Sequence, residues 1–170
     1  MNFNFRKATT LDTAEIWTII QQAIVRRKND GSQQWQDGYP NEDVIKQDIE
    51  KGIGYVITLD NILAGYAAIL FNDEPAYEQL KGTWLTNGDF VVVHRVAISD
   101  DYLGKGLAQK IFLFTEDLAV NNNIFSIKVD TNFDNIPMLK ILEKLGYTYC
   151  GEVTFRGSIR NAFEKIVPSS

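Results

Sequence analysis

The sequence predicts an α/β (α+β) fold in which helices flank a mixed, mostly antiparallel central sheet of about seven strands. Segments with strand-like and helix-like spacing of apolar residues follow one another in the order β-α-α-β-β-β-α-β-α-β-β. Two pairs of successive strands are separated only by short turn-forming segments, which is typical of antiparallel hairpins. Because the 170 residues contain no repeat, low-complexity tract or convincing linker, we expect a single domain over residues 1–170.

The chain begins with a predicted strand and two predicted helices. Residues 2–8 alternate apolar and polar side chains, as a half-buried strand does. Thr10 can cap a first helix, in which apolar residues recur at helical spacing from Ile16 to Ile24. Asn41 begins a second, short helix after a polar loop. The first helix presents one apolar face that can pack on a sheet.

The next predicted elements are two strands in a hairpin. Residues 55–59 and 62–71 are mostly apolar and flank Asp60-Asn61, a turn-prone pair. Residues 72–88 then form a loop of the kind that an insertion produces.

A strand followed by a glycine-containing turn occupies the centre of the chain. Residues 91–98 are rich in β-branched residues, and a helical stripe of apolar residues starts at Leu107. Between them, Gly104 and Gly106 have no Cβ, so a ligand can approach the backbone closely, and Lys105 adds positive charge. Because the first turn of a helix has unpaired backbone N–H groups, this pattern predicts an anion-binding segment.

The last part of the chain predicts three strands and a helix. The strands comprise residues 124–130, 148–155 and 159–167. Asp134 or Asn135 can cap the helix, and Gly146 is suited to the position just after its end. The last two strands form a hairpin that turns at residues 156–158.

Charge and composition exclude several classes of protein. A net charge of −5 and a pI of about 4.9 argue against a nucleic-acid partner, since phosphate backbones require a basic surface. One His and one Cys are too few for most metal sites, so no metal is expected, and Cys150 cannot form an internal disulfide. No apolar segment has signal-peptide or membrane-spanning length. We therefore expect a cytoplasmic protein that does not contact a membrane.

Residues 103–108, Leu-Gly-Lys-Gly-Leu-Ala, resemble the acyl-CoA pyrophosphate loop of the GNAT family of N-acetyltransferases. That family has Arg/Gln-x-x-Gly-x-Gly/Ala after its fourth strand. Gly106 and Ala108 fill the two small positions, whereas Leu103 stands at the Arg/Gln position. The resemblance implies acetyl-CoA as co-substrate. It assigns cofactor contacts to Leu103, Gly104, Lys105, Gly106, Leu107 and Ala108.

A second segment, residues 130–147, resembles the same family. In that family an Asn at the start of a helix contacts the pantetheine arm, and Asn135 is the matching residue, although a helix cap explains it equally well. Leu142 stands where many members place the Tyr that protonates the leaving thiolate. The resemblance also assigns the thioester to backbone groups at three positions of the central strand, Val96, Ala97 and Ile98.

The resemblance covers essentially the whole chain and implies the acyl-CoA N-acyltransferase fold. It implies an enzyme that transfers an acetyl group directly from acetyl-CoA to a primary amine of a small molecule, amino acid or peptide. Because Leu103 and Leu142 depart from the family pattern, the alternative is a catalytically weak acyl-CoA-binding sensor or interaction module. Dimerisation through the last strands or an apolar helix face is compatible with the sequence.

His94 is the candidate general base, because it is the only His and lies on the strand that the resemblance places at the thioester. Histidine titrates closer to neutral pH than other side chains, which suits proton transfer from an ammonium. A His hydrogen-bonded within the sheet explains the same residue. Tyr147 and Cys150 are weaker candidates for the general acid, and their structural alternatives are a buried ring and a small apolar strand residue.

Aromatic loop residues are candidates for acceptor binding, because loops on a rigid scaffold often carry recognition. These residues are Trp35, Tyr39, Tyr77 and Trp84. The alternative is that their rings anchor long loops to the core. Acidic residues such as Asp73 and Glu74 can attract a cationic amine, and solvated loop residues explain them equally well.

A dinucleotide-binding βαβ unit shares the strand, the glycine turn and the helix of this chain. Gln109 at the third glycine position and the crowding by Asp100 and Asp101 argue against it. A P-loop is excluded because no Gly precedes Gly104-Lys105 at the required spacing and no Ser or Thr follows.

Overall fold

The computed structural model describes residues 2–168, which form eight strands and four α-helices together with short 3₁₀ turns. The strands are β1 Phe3–Lys7, β2 Gly54–Leu59, β3 Ile62–Phe71, β4 Lys81–Gly82, β5 Val91–Ile98, β6 Ser126–Thr131, β7 Thr148–Phe155 and β8 Ser158–Ile166. The helices are α1 Thr13–Asn29, α2 Glu42–Glu50, α3 Leu107–Asn121 and α4 Ile136–Lys144. The predicted α/β (α+β) class is confirmed.

The strand order in the sheet is β1-β2-β3-β5-β6-β8-β7-β4. The pairs β1–β2, β2–β3, β6–β8, β7–β8 and β4–β7 are antiparallel, whereas β5 pairs with β6 in parallel. The sheet is therefore mixed and mostly antiparallel, as predicted. It also contains β4, a two-residue strand that pairs with Gly151 and Glu152 of β7 and lies in the segment predicted to be a loop.

Both predicted hairpins turn through two residues with positive φ. Asp60 and Asn61, between β2 and β3, have φ values of 49° and 68°. Arg156 and Gly157, between β7 and β8, have φ values of 47° and 74°. Positive φ at both central residues is the backbone geometry whose twist matches that of paired antiparallel strands.

The chain divides into two compact units, and the first comprises the residues up to 69 together with residues 95–111. A 3₁₀ turn over Thr10–Asp12 precedes α1 and is capped by Thr9, one residue before the predicted cap. Asn41 caps α2 as predicted, since its Oδ1 accepts the Val44 N–H at 3.0 Å. The core of this unit contains Ile16, Ile19, Ile20, Ala23, Trp35, Ile45, Val56, Leu63, Tyr66 and Ala97.

The second unit comprises residues 70–94 together with those from 112 onward. Its core contains Tyr77, Val92, Val153 and Ala162, against which Leu70, Leu80, Trp84, Phe90 and Phe155 pack. Asn135 caps α4 through its Oδ1, which accepts the Met138 N–H at 3.3 Å. Gly146, with a φ of 86°, follows the end of the helix as predicted.

Candidate active site

The segment between β5 and α3 is the predicted anion-binding segment. Gly104 and Gly106 have φ values of 76° and 74°, in the left-handed region that glycine favours. Among the described residues, apart from the chain neighbours, no heavy atom lies within 4 Å of the point where a Cβ would stand at either position. The backbone is therefore open on this side, and α3 starts directly afterwards at Leu107.

Among the side chains of the same segment, only that of Lys105 brings a positive charge that could bind an anion. Leu103 is 47% exposed, and Lys105 is also exposed. Leu107 is buried and fixes the start of α3, while Ala108 is half-buried. The donors that this segment offers to an anion are thus the backbone N–H groups of the first helical turn and the Lys105 ammonium.

The second half of β5 carries the positions predicted to contact the thioester: Val96, Ala97 and Ile98. Arg95, directly before them, has a φ of 55°, which interrupts the extended strand. The Val96 carbonyl accepts a 3.3 Å hydrogen bond from Arg27, and the Ile98 carbonyl accepts a 2.7 Å hydrogen bond from Arg26. Two guanidinium groups of α1 therefore engage backbone carbonyls at two of the three positions that the resemblance assigns to the thioester.

Helix α1 also fixes the turn that follows β5. Arg26 forms an ion pair with Asp100, and Gln22 Oε1 accepts the Asp100 N–H at 2.9 Å. Asp100 begins the 3₁₀ turn that leads to Gly104. The position of the glycine segment thus depends on side chains that are 70 residues or more away in sequence.

Arg95 lies in a buried network that sequence reasoning missed. Its guanidinium donates to both Asp48 oxygens, at 2.8 and 2.7 Å. Tyr66 donates to the same carboxylate at 2.6 Å, and burial together with the Asp48 charge raises the Tyr66 pKa. Asp48 is 3% exposed, so its charge is compensated almost entirely by these two partners.

Two of the rings predicted to bind the acceptor, Tyr39 and Trp35, lie in the first unit and contact arginines. The Tyr39 hydroxyl accepts a hydrogen bond from Arg95 at 2.5 Å. Trp35 is buried, and the Arg27 guanidinium lies 3.7 Å from its ring centroid. These contacts match the alternative in which the rings anchor loops, and an acceptor role for either residue stays a prediction.

His94 lies in the second unit between two carboxylates. Its Nε2 is 2.6 Å from Glu74 Oε2, and its Nδ1 is 3.8 Å from Asp130 Oδ2. The side chains of His94 and Glu74 are each 14% exposed, and that of Asp130 is 3% exposed. Glu74 Oε1 also accepts the Ala76 N–H at 3.3 Å, which fixes the carboxylate at the start of a 3₁₀ turn. His94 thus lies between a carboxylate on its Nε2 side and a second one on its Nδ1 side.

The Asp130 carboxylate connects His94 to two further side chains. Tyr77 donates to Asp130 Oδ2 at 2.7 Å, and Arg160 lies 3.8 Å from Asp130 Oδ1. Complete burial, with the nearby Asp130 charge, raises the Tyr77 pKa, so its hydroxyl stays protonated as a donor. Tyr77 also accepts the Trp84 indole N–H through its backbone carbonyl at 3.0 Å. This packing positions Trp84, which like Tyr77 is one of the aromatic residues predicted to bind the acceptor.

A cavity of about 250 Å³ lies in the same unit. Its walls are Asn72, Asp73, Glu74, Pro75, Tyr77, Glu78, Trp84, Thr86, Asn87, Gly88, Phe90 and Lys128. Trp84 is therefore a cavity residue, and Glu74 joins the cavity wall to His94. The cavity combines aromatic surface with carboxylates and a single ammonium, as binding pockets for small polar ligands do.

Tyr147 is buried against Phe112, with ring centroids 5.8 Å apart. Among the described residues its hydroxyl has no hydrogen-bond partner, and burial raises its pKa. Leu142 is fully buried. The Cys150 thiol donates to the Thr148 carbonyl at 3.4 Å, and burial raises its pKa as well. Roles for Tyr147 in catalysis and for Asn135 in pantetheine binding stay predictions.

Asp130 and Lys128 are the site residues that sequence reasoning missed. Both lie on β6, two residues apart, so alternation places them on one face of the sheet. Two charged residues that alternate with the apolar Ile127 and Val129 were the available signal.

Within residues 2–168, no helix is both long and apolar enough to cross a membrane. In the same residues, no group of three or more His, Cys, Asp or Glu side chains is arranged to hold a metal ion.

Comparison with known proteins identifies the family. The model of the acetyltransferase (GNAT) family matches residues 17–147, and the chain belongs to this family. It is similar, at 37% identity and a TM-score of 0.88, to a GNAT-family acetyltransferase from Streptococcus agalactiae 2603, over 98% of this chain and 96% of that one. The predicted family is thus confirmed.

Two further proteins extend the comparison. The yncA structure from Salmonella typhimurium, solved with its cofactor acetyl-CoA, shares the fold at 17% identity and a TM-score of 0.70, over 99% of this chain and 95% of that one. Streptothricin acetyltransferase from Escherichia coli is 25% identical over 92 residues, which are 54% of this chain and 51% of that protein. The match therefore spans about half the length of this curated relative.

Proposed function

We propose that the chain is an acetyl-CoA-dependent N-acetyltransferase that acts on a primary amine. The observation that carries the proposal is the open backbone at Gly104 and Gly106 directly before α3, in a chain of the GNAT family. The acetyl-CoA in the yncA structure, a protein of the same fold, supports the choice of co-substrate. Acetyl-CoA would supply the activated acyl group as a thioester.

The residues present fit such a co-substrate. A pyrophosphate requires several N–H donors, a positive charge and close approach to backbone, and the segment from Leu103 to Ala108 offers all three. Asn135, whose Oδ1 caps α4, would contact the pantetheine arm, as the resemblance implies. Because the acyl carbonyl oxygen is a hydrogen-bond acceptor, we assign its contact to backbone N–H groups of this strand.

His94 would accept the proton of the acceptor ammonium, because only a neutral amine can attack a thioester. Glu74, at 2.6 Å from Nε2, and Asp130, on the Nδ1 side, would stabilise the imidazolium that forms. Tyr147 would return a proton to the thiolate, since its raised pKa keeps the hydroxyl protonated at neutral pH. The side chain at the usual position of this acid, Leu142, has no proton to give.

The test is thiol release from acetyl-CoA in the presence of primary amines, measured for the wild type and for His94→Ala. We expect turnover in the wild type and a loss of about 10²- to 10⁴-fold in the variant, which is the range of general acid–base catalysis. Acetyl-CoA should still raise the melting temperature of the variant, because His94 does not belong to the glycine segment. Full turnover in His94→Ala would reject its role. Acetyl-CoA binding without thiol release from any amine would favour the sensor alternative that Leu142 suggests.

A further inference from the structure

The cavity wall carries charges of both signs, and the negative and positive side chains differ in their exposure. Asp73 and Glu78 are exposed at its rim, and Glu74 lies deeper, in contact with His94. Lys128 supplies the only ammonium among the described lining residues and is 4% exposed. The cavity therefore combines exposed carboxylates with a buried cation.

Lys128 lacks a direct anionic partner. Its Nζ lies 4.3 Å from the Trp84 ring centroid and 4.2 Å from that of Phe90, and within residues 2–168 no carboxylate oxygen forms an ion pair with it. The two ring faces stabilise the cation in part. Burial still lowers the Lys128 pKa, because it removes water from the ammonium, although the nearby Glu164 charge acts in the opposite direction.

Glu164 is the candidate anionic partner of Lys128, but its carboxylate already accepts hydrogen bonds from other groups. Glu164 stands opposite Lys128 in the pairing of β6 with β8 and is fully buried. Its carboxylate accepts the Ser126 hydroxyl at 2.6 Å, the Leu85 N–H at 2.7 Å and both the N–H and hydroxyl of Thr86. These donors hold Glu164 toward the strand and loop, so Lys128 remains available to an anion in the cavity.

We infer that this cavity is the acceptor site and that the acceptor is a small zwitterion, an amine that also bears a carboxylate, such as an amino acid. The inference rests on the proposed function. The carboxylate of the acceptor binds the Lys128 ammonium, and the amine lies at the Glu74 and His94 end. An acceptor with positive charges alone leaves Lys128 without an anion, and one with negative charges alone meets three repelling carboxylates.

The size of the cavity agrees with this class. At about 250 Å³, it is smaller than the roughly 300–1,000 Å³ pockets that enclose drug-sized ligands. In the reaction, the ammonium gives a proton to His94, the amine nitrogen bonds to the acetyl carbon, and the C–S bond breaks. The nitrogen then loses a second proton, and the thiolate takes up one from Tyr147, which that second proton replaces. The products are an N-acetylated acid and free CoA, with one proton released overall to solvent.

The test compares matched acceptors in the thiol-release assay. L-leucine, L-lysine and L-phenylalanine are each measured beside their carboxamide and their decarboxylated amine. For at least one set, we expect kcat/KM to be about tenfold to a hundredfold higher for the acid, the range that a charge-assisted hydrogen bond supplies. Preference for the decarboxylated amines in all sets would overturn the inference.

Substitution of the lysine makes the test specific. Lys128→Met keeps an unbranched side chain of similar length but removes the charge, and we expect the acid-to-amine ratio of kcat/KM to fall to about one. Lys128→Arg, which retains the charge, should recover part of the ratio if Lys128→Met folds poorly. Lys51→Met, which removes an exposed lysine at the end of α2, should keep the full ratio. A ratio that survives Lys128→Met contradicts the inference.

Direct binding separates this inference from the proposed function. If acetyl-CoA binds but no amine causes thiol release, the proposed catalysis is rejected. Calorimetric titration of the wild type with the same amino acids then still tests whether the cavity binds them. Binding that Lys128→Met weakens about tenfold or more supports the zwitterion site. Absence of binding by all three amino acids, in a protein that also releases no thiol, overturns it.

Discussion

At the residue scale, Arg95 has the least expected conformation in the chain. It is a non-glycine residue with a φ of 55° inside a strand, which costs about 1–2 kcal/mol relative to extended backbone. The bidentate contact with Asp48 and the hydrogen bond to Tyr39 stabilise it. Because Arg95 directly precedes Val96, this network sets the backbone of the segment assigned to the thioester.

Asp48→Ala should be severely destabilising, because it leaves the Arg95 guanidinium buried without its carboxylate. We expect the free energy of unfolding to fall by about 3–5 kcal/mol, the cost of removing one partner from a buried ion pair. Urea denaturation measures the change. Glu50→Ala, which alters an exposed acid of the same helix, should change stability by less than about 0.5 kcal/mol. If both substitutions lowered the free energy of unfolding equally, the buried network around Asp48 would make no specific contribution to stability.

The sequence allowed His94 to be singled out by its uniqueness, but not its partners. Glu74 comes from a loop without periodicity, and the distance from its Oε2 to His94 Nε2 depends on where that loop packs. Lys128 and Asp130 occupy alternate positions of a strand, and this pattern alone does not mark them as site residues. Local pattern identifies the candidate for chemistry, whereas the carboxylates around it are brought together only by tertiary packing.

At the element scale, the connection from β5 to α3 is the feature that most directly supports co-substrate binding. Gly106 has a φ of 74° and open space where a side chain would stand. Any side chain there would occupy the space assigned to the pyrophosphate, and it would also strain the backbone.

Gly106→Val should therefore abolish acetyl-CoA binding in a protein that still folds. We expect a loss of affinity of at least about 100-fold by isothermal titration calorimetry, because the backbone N–H groups can no longer be approached. Gly31→Val is the matched control. Gly31 has a φ of 84° and equally open surroundings, so the variant carries similar backbone strain but should retain affinity. Unchanged affinity in Gly106→Val would reject the assignment of this segment.

The elements themselves were largely predictable, and the exceptions have physical causes. The hairpin at Asp60 and Asn61 was recognisable because these residues tolerate positive φ. β4 was not, since two residues cannot show a period and its pairing with β7 depends on tertiary contact. The cap before α1 was displaced from Thr10 to Thr9 because Asp12 accepts the Thr9 N–H at 2.8 Å.

At the scale of the whole molecule, three elements belong in part to each compact unit. β3, β5 and α3 each contribute residues to both units. The expectation of a single domain over residues 1–170 stays a prediction, as does the cytoplasmic location.

The dependence of stability on pH offers a further test of the structure, because buried or paired carboxylates must take up protons as the molecule unfolds at low pH.

Asp12 should contribute to this acid sensitivity. The hydrogen bonds from Arg6 hold the Asp12 pKa below its ordinary value, so the carboxylate stabilises the fold above the unfolded pKa of about 3.9, and the contribution is lost as pH falls through the folded-state pKa. Asp12→Asn should lower the free energy of unfolding by about 1 kcal/mol or less near neutral pH.

The pH series itself supplies the control. The difference in urea midpoint between Asp12→Asn and the wild type should shrink as pH falls below about 4. In an Arg6→Met background the difference should already be smaller at neutral pH, because the Arg6 hydrogen bonds are absent and only those from Thr9 remain. A difference that is constant from pH 7 to pH 2 would contradict this account of Asp12.

Thermal unfolding with acetyl-CoA, free CoA or NAD tests the central claim most directly, because a ligand that binds only the folded chain raises its melting temperature. At 100 times the dissociation constant the gain is about 2.7 kcal/mol, which shifts the transition of a chain of this size by several degrees. The account predicts a shift with acetyl-CoA and with CoA but none with NAD. An unchanged melting temperature with both CoA species would contradict the assignment of the Gly104 to Gly106 segment as the acyl-CoA site.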